Sequence, residues 1–187
     1  MCLVLEPWAA IILAGGRGSR LGGVDKAGIE LGGRTLLEWA LDAVIDAREV
    51  VVVGTPVPTE RPVTFVRENP RYGGPVAGML TGLDALQRMP AYVGVVAVDM
   101  PHLNHGTWRR LLDAAAGTDG ARLVGPDGHW QLALALATAR LQQVRPDYEG
   151  QHDHPLKALL AQLDLTPVLA QGREHEDIDT WEDLRDS

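Results

Sequence analysis

Leu13-Ala-Gly-Gly-Arg-Gly-Ser-Arg-Leu-Gly-Gly-Val-Asp-Lys26 is the stretch whose reading decides the fold. It follows a continuous apolar run, Trp8 to Leu13, of the kind that forms a buried strand bounded by glycine. Five glycines fall within the nine residues Gly15 to Gly23, so the backbone can turn tightly and come close to a ligand. Successive N–H groups in such a turn form a concave site for anions, phosphate above all. Arg17, Arg20 and Lys26 add positive charge at its rim, and Lys26 and Lys157 are the only lysines among 17 basic residues. Read otherwise, the stretch is a glycine-rich surface turn in which Lys26 pairs with its neighbour Asp25.

Spacing excludes two common phosphate loops. A P-loop requires G-x-x-x-x-G-K-[ST], but Gly18 leads through four residues to Gly23-Val24-Asp25. A dinucleotide fingerprint requires G-x-G-x-x-G; Gly16 and Gly18 fit, but the sixth place is Leu21. The turn therefore belongs to another class of phosphate site.

Outward from it, Gly28 to Leu31 is expected as a short strand, and Thr35-Leu-Leu-Glu38 has capping-box spacing that opens a helix. Val50 to Val53 is a β-branched run suited to a parallel strand covered on both faces. Gly54 to Pro62, with its prolines, is loop; Val63 to Val66 is a strand; Glu68 to Pro75 is a second glycine/proline loop. A helix is expected over Val76 to Arg88, with Gly78 and Gly82 marking close backbone contact. Tyr92 to Val98 is a further buried strand ending at Asp99-Met-Pro101, followed by a helix from Thr107 to Ala116. Ala121 to Val124 and Trp130 to Ala137 flank the turn Gly125-Pro-Asp-Gly128 and are assigned as strands. Thr138 to Val144 and Pro155 to Leu163 are expected as helices, Thr166 to Leu169 as a strand, and Thr180 to Arg185 as a last helical turn.

Strands alternating with helices imply a mostly parallel sheet covered on both faces, with ligands outside the C-terminal ends of its strands. Three such ends coincide with unusual chemistry: Leu13-Ala14, Val66 before Glu68-Asn69, and Val98 before Asp99. The 187 residues suit one domain spanning 1–187. A net charge of −8 argues against nucleic acid or a membrane surface as partner, so a polyphosphate would have to be drawn by a local basic loop. The single Cys2 can form no intramolecular disulfide, which fits a reducing cytoplasm. An apolar start broken by Glu6-Pro7, without a basic leader, gives no expectation of a signal peptide.

Leu13, Ala14, Gly15, Gly16, Arg20, Leu21, Gly22, Gly23, Asp25 and Lys26 complete the pattern L-A-G-G-x-x-x-R-[ML]-G-G-x-D-K. This is the signature loop of nucleotidyltransferases similar to molybdenum cofactor guanylyltransferase, and the resemblance extends over nearly the whole chain. It implies a three-layer α/β/α domain, Rossmann-like, with a mostly parallel sheet of the nucleotide-diphospho-sugar transferase type. It implies transfer of GMP from Mg²⁺·GTP to the terminal phosphate of molybdopterin, with transient contact to other molybdenum cofactor proteins.

By this resemblance Leu13, Ala14, Gly15 and Gly16 lie along the nucleotide, and Lys26 and Arg20 act on its phosphates. Asp99-Met-Pro101 matches a D-x-P whose aspartate binds the metal; read alone, an aspartate there is a cap or turn residue. Gly74-Pro75-Val-Ala-Gly78 matches G-P-[LV]-A-G, another nucleotide-side stretch. Upstream of it the family has an acidic residue, for which Glu68 and Asn69 are the candidates; Asn69 in that place would replace a carboxylate. A nucleotide-contacting asparagine of the family is here Gly54. Asp177-Ile-Asp-Thr180 resembles the D-I-D-T of molybdopterin cytidylyltransferases, which keeps CTP as an alternative donor. Asp179 is either a second metal ligand or a solvated neighbour of a helix capped by Thr180 with Asp183. Lys157 and Asp177 are candidates for the acceptor side, as are Trp130 and Gln131, although an exposed helix lysine and a rim tryptophan are simpler readings. Two alternatives follow: cytidylyl transfer on the same scaffold, and a nucleotide- or pterin-binding protein without turnover.

Overall fold

The computed structural model describes residues 7–15 and 25–186. The run Trp8–Leu13 (β1) is almost wholly buried. Hydrogen-bonded partners flank it on both edges: Val50–Val53 (β4) and Tyr92–Ala97 (β6), both parallel to it. Beyond β4 lies Thr64–Val66 (β5), again parallel. On the other side follow Trp130–Ala137 (β8), Gly120–Val124 (β7) and Leu165–Leu169 (β9). The sheet order is β5-β4-β1-β6-β8-β7-β9, and β8 alone runs antiparallel to its neighbours. The Leu/Ala alternation of β8 puts Leu134 and Leu136 into one face and Ala133 and Ala135 into the other, as a strand must.

Two hydrophobic layers sandwich the sheet. Ala10, Ile12 and Val52 face Leu36–Ala43 (α1) and His105–Ala115 (α3). Ile11, Val51 and Val53 face Gly74–Asp84 (α2); Leu141 of Thr138–Val144 (α4) and Leu159 of Leu156–Leu160 (α5) join that layer. Trp181–Asp186 (α6) closes the described chain. This is the expected three-layer α/β/α arrangement, and no helix among the described residues is long and apolar enough to cross a membrane.

Local chemistry explains the boundaries. Thr35 caps α1 in a full capping box with Glu38, as the spacing predicts. The strand expected at Gly28–Leu31 shrinks to Glu30–Leu31 (β2), paired in a hairpin with Arg34–Thr35 (β3). The reason is Asp25, whose side chain accepts the Ala27 N–H at 3.1 Å and winds Lys26–Gly28 into a 3₁₀ turn. Helix α2 starts two residues earlier than expected because Pro75 stands in its first turn, and it ends at Asp84 rather than Arg88. Helix α3 begins at His105 because Asn104, not Thr107, is the N-cap. Helix α5 covers only Leu156–Leu160 of the expected Pro155–Leu163.

The two glycines inside α2 mark close approach to the sheet. A Cβ on Gly82 would stand 2.5 Å from Ile11 Cγ2, and one on Gly78 3.3 Å from Leu13 Cδ2. Two effects oppose each other in Gly82→Ala: better helix propensity, about 1 kcal/mol, and overpacking, about 1–3 kcal/mol. Because Ile11 is fully buried and cannot retreat, overpacking dominates. Gly82→Ala is expected to lower stability by about 1 kcal/mol, and Tm by about 2–4 °C, in thermal and denaturant unfolding.

Candidate active site

The chain runs from β1 outward through β4 to β5, then returns to β6 on the other side of β1. The order therefore reverses between β1 and β6, and a crevice opens outside their C-terminal ends. From β1 come Leu13, Ala14 and Gly15; from β6, Asp99, two residues past Ala97. The Leu13 carbonyl accepts the Val98 N–H at 3.0 Å, so the two strand ends stay joined as they leave the sheet.

Lys26 lies at the centre. Its ammonium donates to Asp99 Oδ2 at 2.7 Å and to Asp179 Oδ1 at 2.8 Å. Asp99 and Asp179 are 73 and 153 residues away in sequence. The side chains of Lys26 and Asp99 are 21% and 17% exposed, that of Asp179 40%, so the cluster is partly desolvated yet open to a ligand. Burial by itself would lower the Lys26 pKa; the hydrogen bonds to Asp179 and Asp99 outweigh it and hold the ammonium above its ordinary value. Lys26 therefore stays charged at any physiological pH. Asp25 caps the 3₁₀ turn instead of pairing with Lys26.

Asp179 reaches the crevice because Ile178 is pinned. The Ile178 N–H donates to the Asp99 carbonyl at 2.8 Å, and its side chain is buried in the α1/α3 layer. The cap expected of this stretch forms, and Asp179 is not merely solvated beside it. Thr180 and Asp183 form the helix cap, with Asp183 N to Thr180 Oγ1 at 3.1 Å and Thr180 N to Asp183 Oδ2 at 2.7 Å. Asp179, just before that cap, points to Lys26. The carboxyl of Asp177 is pushed above the ordinary aspartate range by burial and by the charges of Asp179 and Asp99. As the residue remains exposed, the like charges are the firmer cause.

The second loop distinguishes Glu68 from Asn69. A Cβ placed on Gly78 would stand 3.3 Å from Leu13 Cδ2 and 4.0 Å from Glu68 Oε2, so this carboxylate approaches α2 on the side that packs against β1. Glu68 also accepts the Tyr72 N–H at 2.8 Å. Asn69 is engaged elsewhere: its Oδ1 accepts the Tyr148 hydroxyl at 2.7 Å, and its backbone N–H and C=O both bond Thr81 Oγ1. Asn69 lines an open groove of about 870 Å³ with Thr81, Arg145 and Tyr148. Of the two candidates, Glu68 thus faces α2 at Gly78, and Asn69 faces Thr81 and Tyr148. The offset between them is one residue, and one residue is enough to reverse the direction of a side chain in extended chain.

Gly74, at φ +85°, and Pro75 open α2, whose N-terminus has no side-chain cap. The N–H groups of Ala14 and Gly15 both donate to the Val53 carbonyl at 2.9 Å, which ties the end of β1 to β4. At Gly54 a Cβ would stand 3.0 Å from Ala14 Cβ, so the end of β4 packs tightly against Ala14. Gly16 and Arg20 lie outside the described residues. Lys157 is exposed on the five-residue α5, too short to offer an N-terminal anion site. The loop before α5 is nevertheless tied to the start of α2 by Asp153 N to Gly73 O at 2.8 Å. Trp130 packs half-buried against the α2 layer, as a rim tryptophan would, and Gln131 follows it on β8.

Among the described residues no three His, Cys, Asp or Glu side chains gather closely enough to cage a metal with protein ligands alone. Two hard carboxylates beside a lysine suit instead a cation that keeps several waters and completes its shell with phosphate oxygens, as Mg²⁺ does.

A mostly parallel sheet that brings a lysine and carboxylates to its switch point is the framework of a nucleotidyltransferase. The chain belongs to the MobA-like NTP transferase domain family, whose profile matches residues 10–178. It is 30% identical over 177 residues to a probable molybdenum cofactor guanylyltransferase of Methanosarcina acetivorans, covering 86% of this chain and 77% of that one. Its fold is similar to the crystal structure of molybdopterin-guanine dinucleotide biosynthesis protein A from Archaeoglobus fulgidus, with TM-score 0.73, 20% identity and 95% of each chain covered. It is also similar to a Mycobacterium tuberculosis protein crystallised as its manganese complex, with TM-score 0.69, 16% identity and 98% of each chain covered.

The crowding of Asp177 has a testable sign. Its folded pKa is raised, so the folded state holds the proton more tightly than the unfolded chain. The penalty is absent below the unfolded value of 3.8 and grows as pH rises through the folded value. Without divalent metal, Asp177→Asn is expected to melt higher than the parent at pH 7. The difference should close below pH 4 in a series of melting curves; a constant difference at all pH values would contradict the electrostatic cause.

Proposed function

We propose that this nucleotidyltransferase transfers GMP from GTP to the terminal phosphate of a molybdopterin acceptor in the cytoplasm, with Mg²⁺ as cofactor. The observation that carries the reading is the convergence of Lys26, Asp99 and Asp179 at the ends of β1 and β6. The guanylyltransferase relative from Methanosarcina acetivorans supports the choice of substrates.

Asp99 and Asp179 would hold the metal ion, which supplies neutralisation of phosphate charge when bound. Lys26, kept protonated by the same two carboxylates, offsets negative charge that builds on the α-phosphoryl group. An oxygen of the acceptor phosphate attacks the α-phosphorus, the bond to the β-phosphate breaks, and pyrophosphate leaves with that electron pair. No side chain needs to form a covalent intermediate: positioning and charge neutralisation account for the rate. Leu13 and Ala14 line the base side, and Glu68, near Gly78 of α2, offers a carboxylate acceptor for the N–H edge of a purine such as guanine. Gly74 and Pro75, at the uncapped start of α2, lie along the nucleotide. Glu68 near Gly78 supports turnover over a binding protein without it, because that loop then keeps a carboxylate. Asp177-Ile-Asp-Thr180 keeps CTP as the second reading.

Asp99→Asn and Lys26→Ala are each expected to lower pyrophosphate release by about a hundredfold or more while the melting curve shows a folded protein. Unchanged turnover in either variant would remove that residue from the site. For the base, a ligand at a hundred times its Kd adds about 2.7 kcal/mol to the folded state, or roughly 5–10 °C in Tm for a domain of this size. With Mg²⁺ present, GTP is expected to raise Tm more than CTP, ATP or UTP. A larger rise with CTP would transfer the assignment to cytidylyl transfer, and no rise with any nucleotide at millimolar concentration would overturn both.

A further inference from the structure

Glu174 is a carboxylate with 3% of its surface exposed, in a chain whose chemistry lies elsewhere. Taking a charged carboxylate out of water costs several kcal/mol unless donors replace the lost hydration. Here Oε1 accepts from Thr107 Oγ1 at 2.6 Å and, more weakly, from Asn104 Nδ2 at 3.5 Å. Oε2 accepts from Arg110 Nη2 at 2.5 Å and from the Gln171 N–H at 2.8 Å. Three of the four donors belong to the cap and first turns of α3, where the helix dipole also favours negative charge.

Helix α3 does not need this carboxylate as a cap. Asn104 Oδ1 already accepts from Gly106 and Thr107, and Thr107 Oγ1 accepts from the Asn104 N–H. What the carboxylate adds is a fixed attachment for the strap that leaves β9. Its start is held by Ala170 N to Val124 O at 2.9 Å and its far end by Ile178 N to Asp99 O at 2.8 Å. Asp179 is five positions beyond Glu174, at most about 17 Å of chain, so a shift at the clamp reaches Asp179 with little slack. An apolar side chain of similar size would fill the space without the desolvation cost, but it would not fix direction as charge-assisted hydrogen bonds do.

We propose that Glu174 is a positioning residue, which clamps the 171–180 strap to α3 so that Asp179 stays against Lys26. The proposal rests on the reading of Lys26, Asp99 and Asp179 as the reacting site. Glu174→Gln keeps the shape and one acceptor but removes the charge that holds Arg110. In the full chain, amide exchange is expected to speed tenfold or more within residues 171–180 while β1 and β6 stay as protected as in the parent. The metal concentration for half-maximal turnover is expected to rise several-fold. If Glu174→Gln does not fold, Arg110→Gln, at a partly exposed partner, is expected to loosen the same segment to a smaller degree. Exchange that rises equally in every segment, or does not change in the strap, would overturn the clamp. An active parent whose variant keeps the same metal requirement would also overturn it while leaving the function intact. A parent that turns over no nucleotide would defeat the functional reading instead, and the exchange pattern would still decide whether the clamp exists.

Discussion

Strand β1 has hydrogen-bonded neighbours on both edges and helices on both faces, so nothing polar except its backbone can be accommodated along it. All chemistry is thereby expelled to its ends, and the reversal of strand order decides which end has room for a ligand. At the C-terminal end, β4 and β6 hold the departing chain: the Val53 carbonyl takes the N–H groups of Ala14 and Gly15, and Val98 bonds back to Leu13. The crevice is a product of sheet topology before any side chain contributes to it.

What a partly desolvated crevice then demands is charge balance. A lysine there would lose its proton more easily if burial acted alone; two carboxylates reverse the sign. Those carboxylates come from distant parts of the sequence, so the balance exists only when β6 and the segment after β9 are both in place. Asp177 adds a third carboxyl near Lys26, and burial together with the charges of Asp179 and Asp99 raises its pKa. A cluster that holds surplus negative charge at a cost to stability is better suited to receive a cation than to stabilise the fold.

Sequence alone reveals most of the sheet, because continuous apolar runs such as Val50–Val53 and capping boxes such as Thr35–Glu38 act over a few residues. The local chemistry of Asp25 was less visible: one side-chain hydrogen bond winds Lys26–Gly28 into a 3₁₀ turn and shortens the expected strand to Glu30–Leu31. The site was legible residue by residue but not as an arrangement. Asp99 and Asp179 each stood out, yet no periodicity relates either one to Lys26. The choice between Glu68 and Asn69 depends on a single-residue offset, and the sequence shows neither the approach of Glu68 to Gly78 nor the bond of Asn69 to Tyr148. Glu174 carries no motif at all. It is an ordinary glutamate in sequence, and only its burial distinguishes it.

The way Asp179 is delivered bears on how this scaffold can vary. Asp99 is carried by a central strand and cannot move without disrupting the sheet, whereas Asp179 is carried by a strap that crosses from the sheet edge to the crevice. The strap adds no strand and only one fully buried apolar side chain, Ile178, to the core. Apart from the Glu174 clamp its contacts therefore contribute little to global stability, and segments of that kind open locally at low cost once unclamped. A rigid first carboxylate with a second one on a clamped strap gives a site whose charge can be tuned through the strap while the strand end stays fixed. The differing chemistry of the two sides follows from this: apolar uniformity in β1 and β6, where the sheet decides, and the charged run Glu174 to Asp179 where it does not.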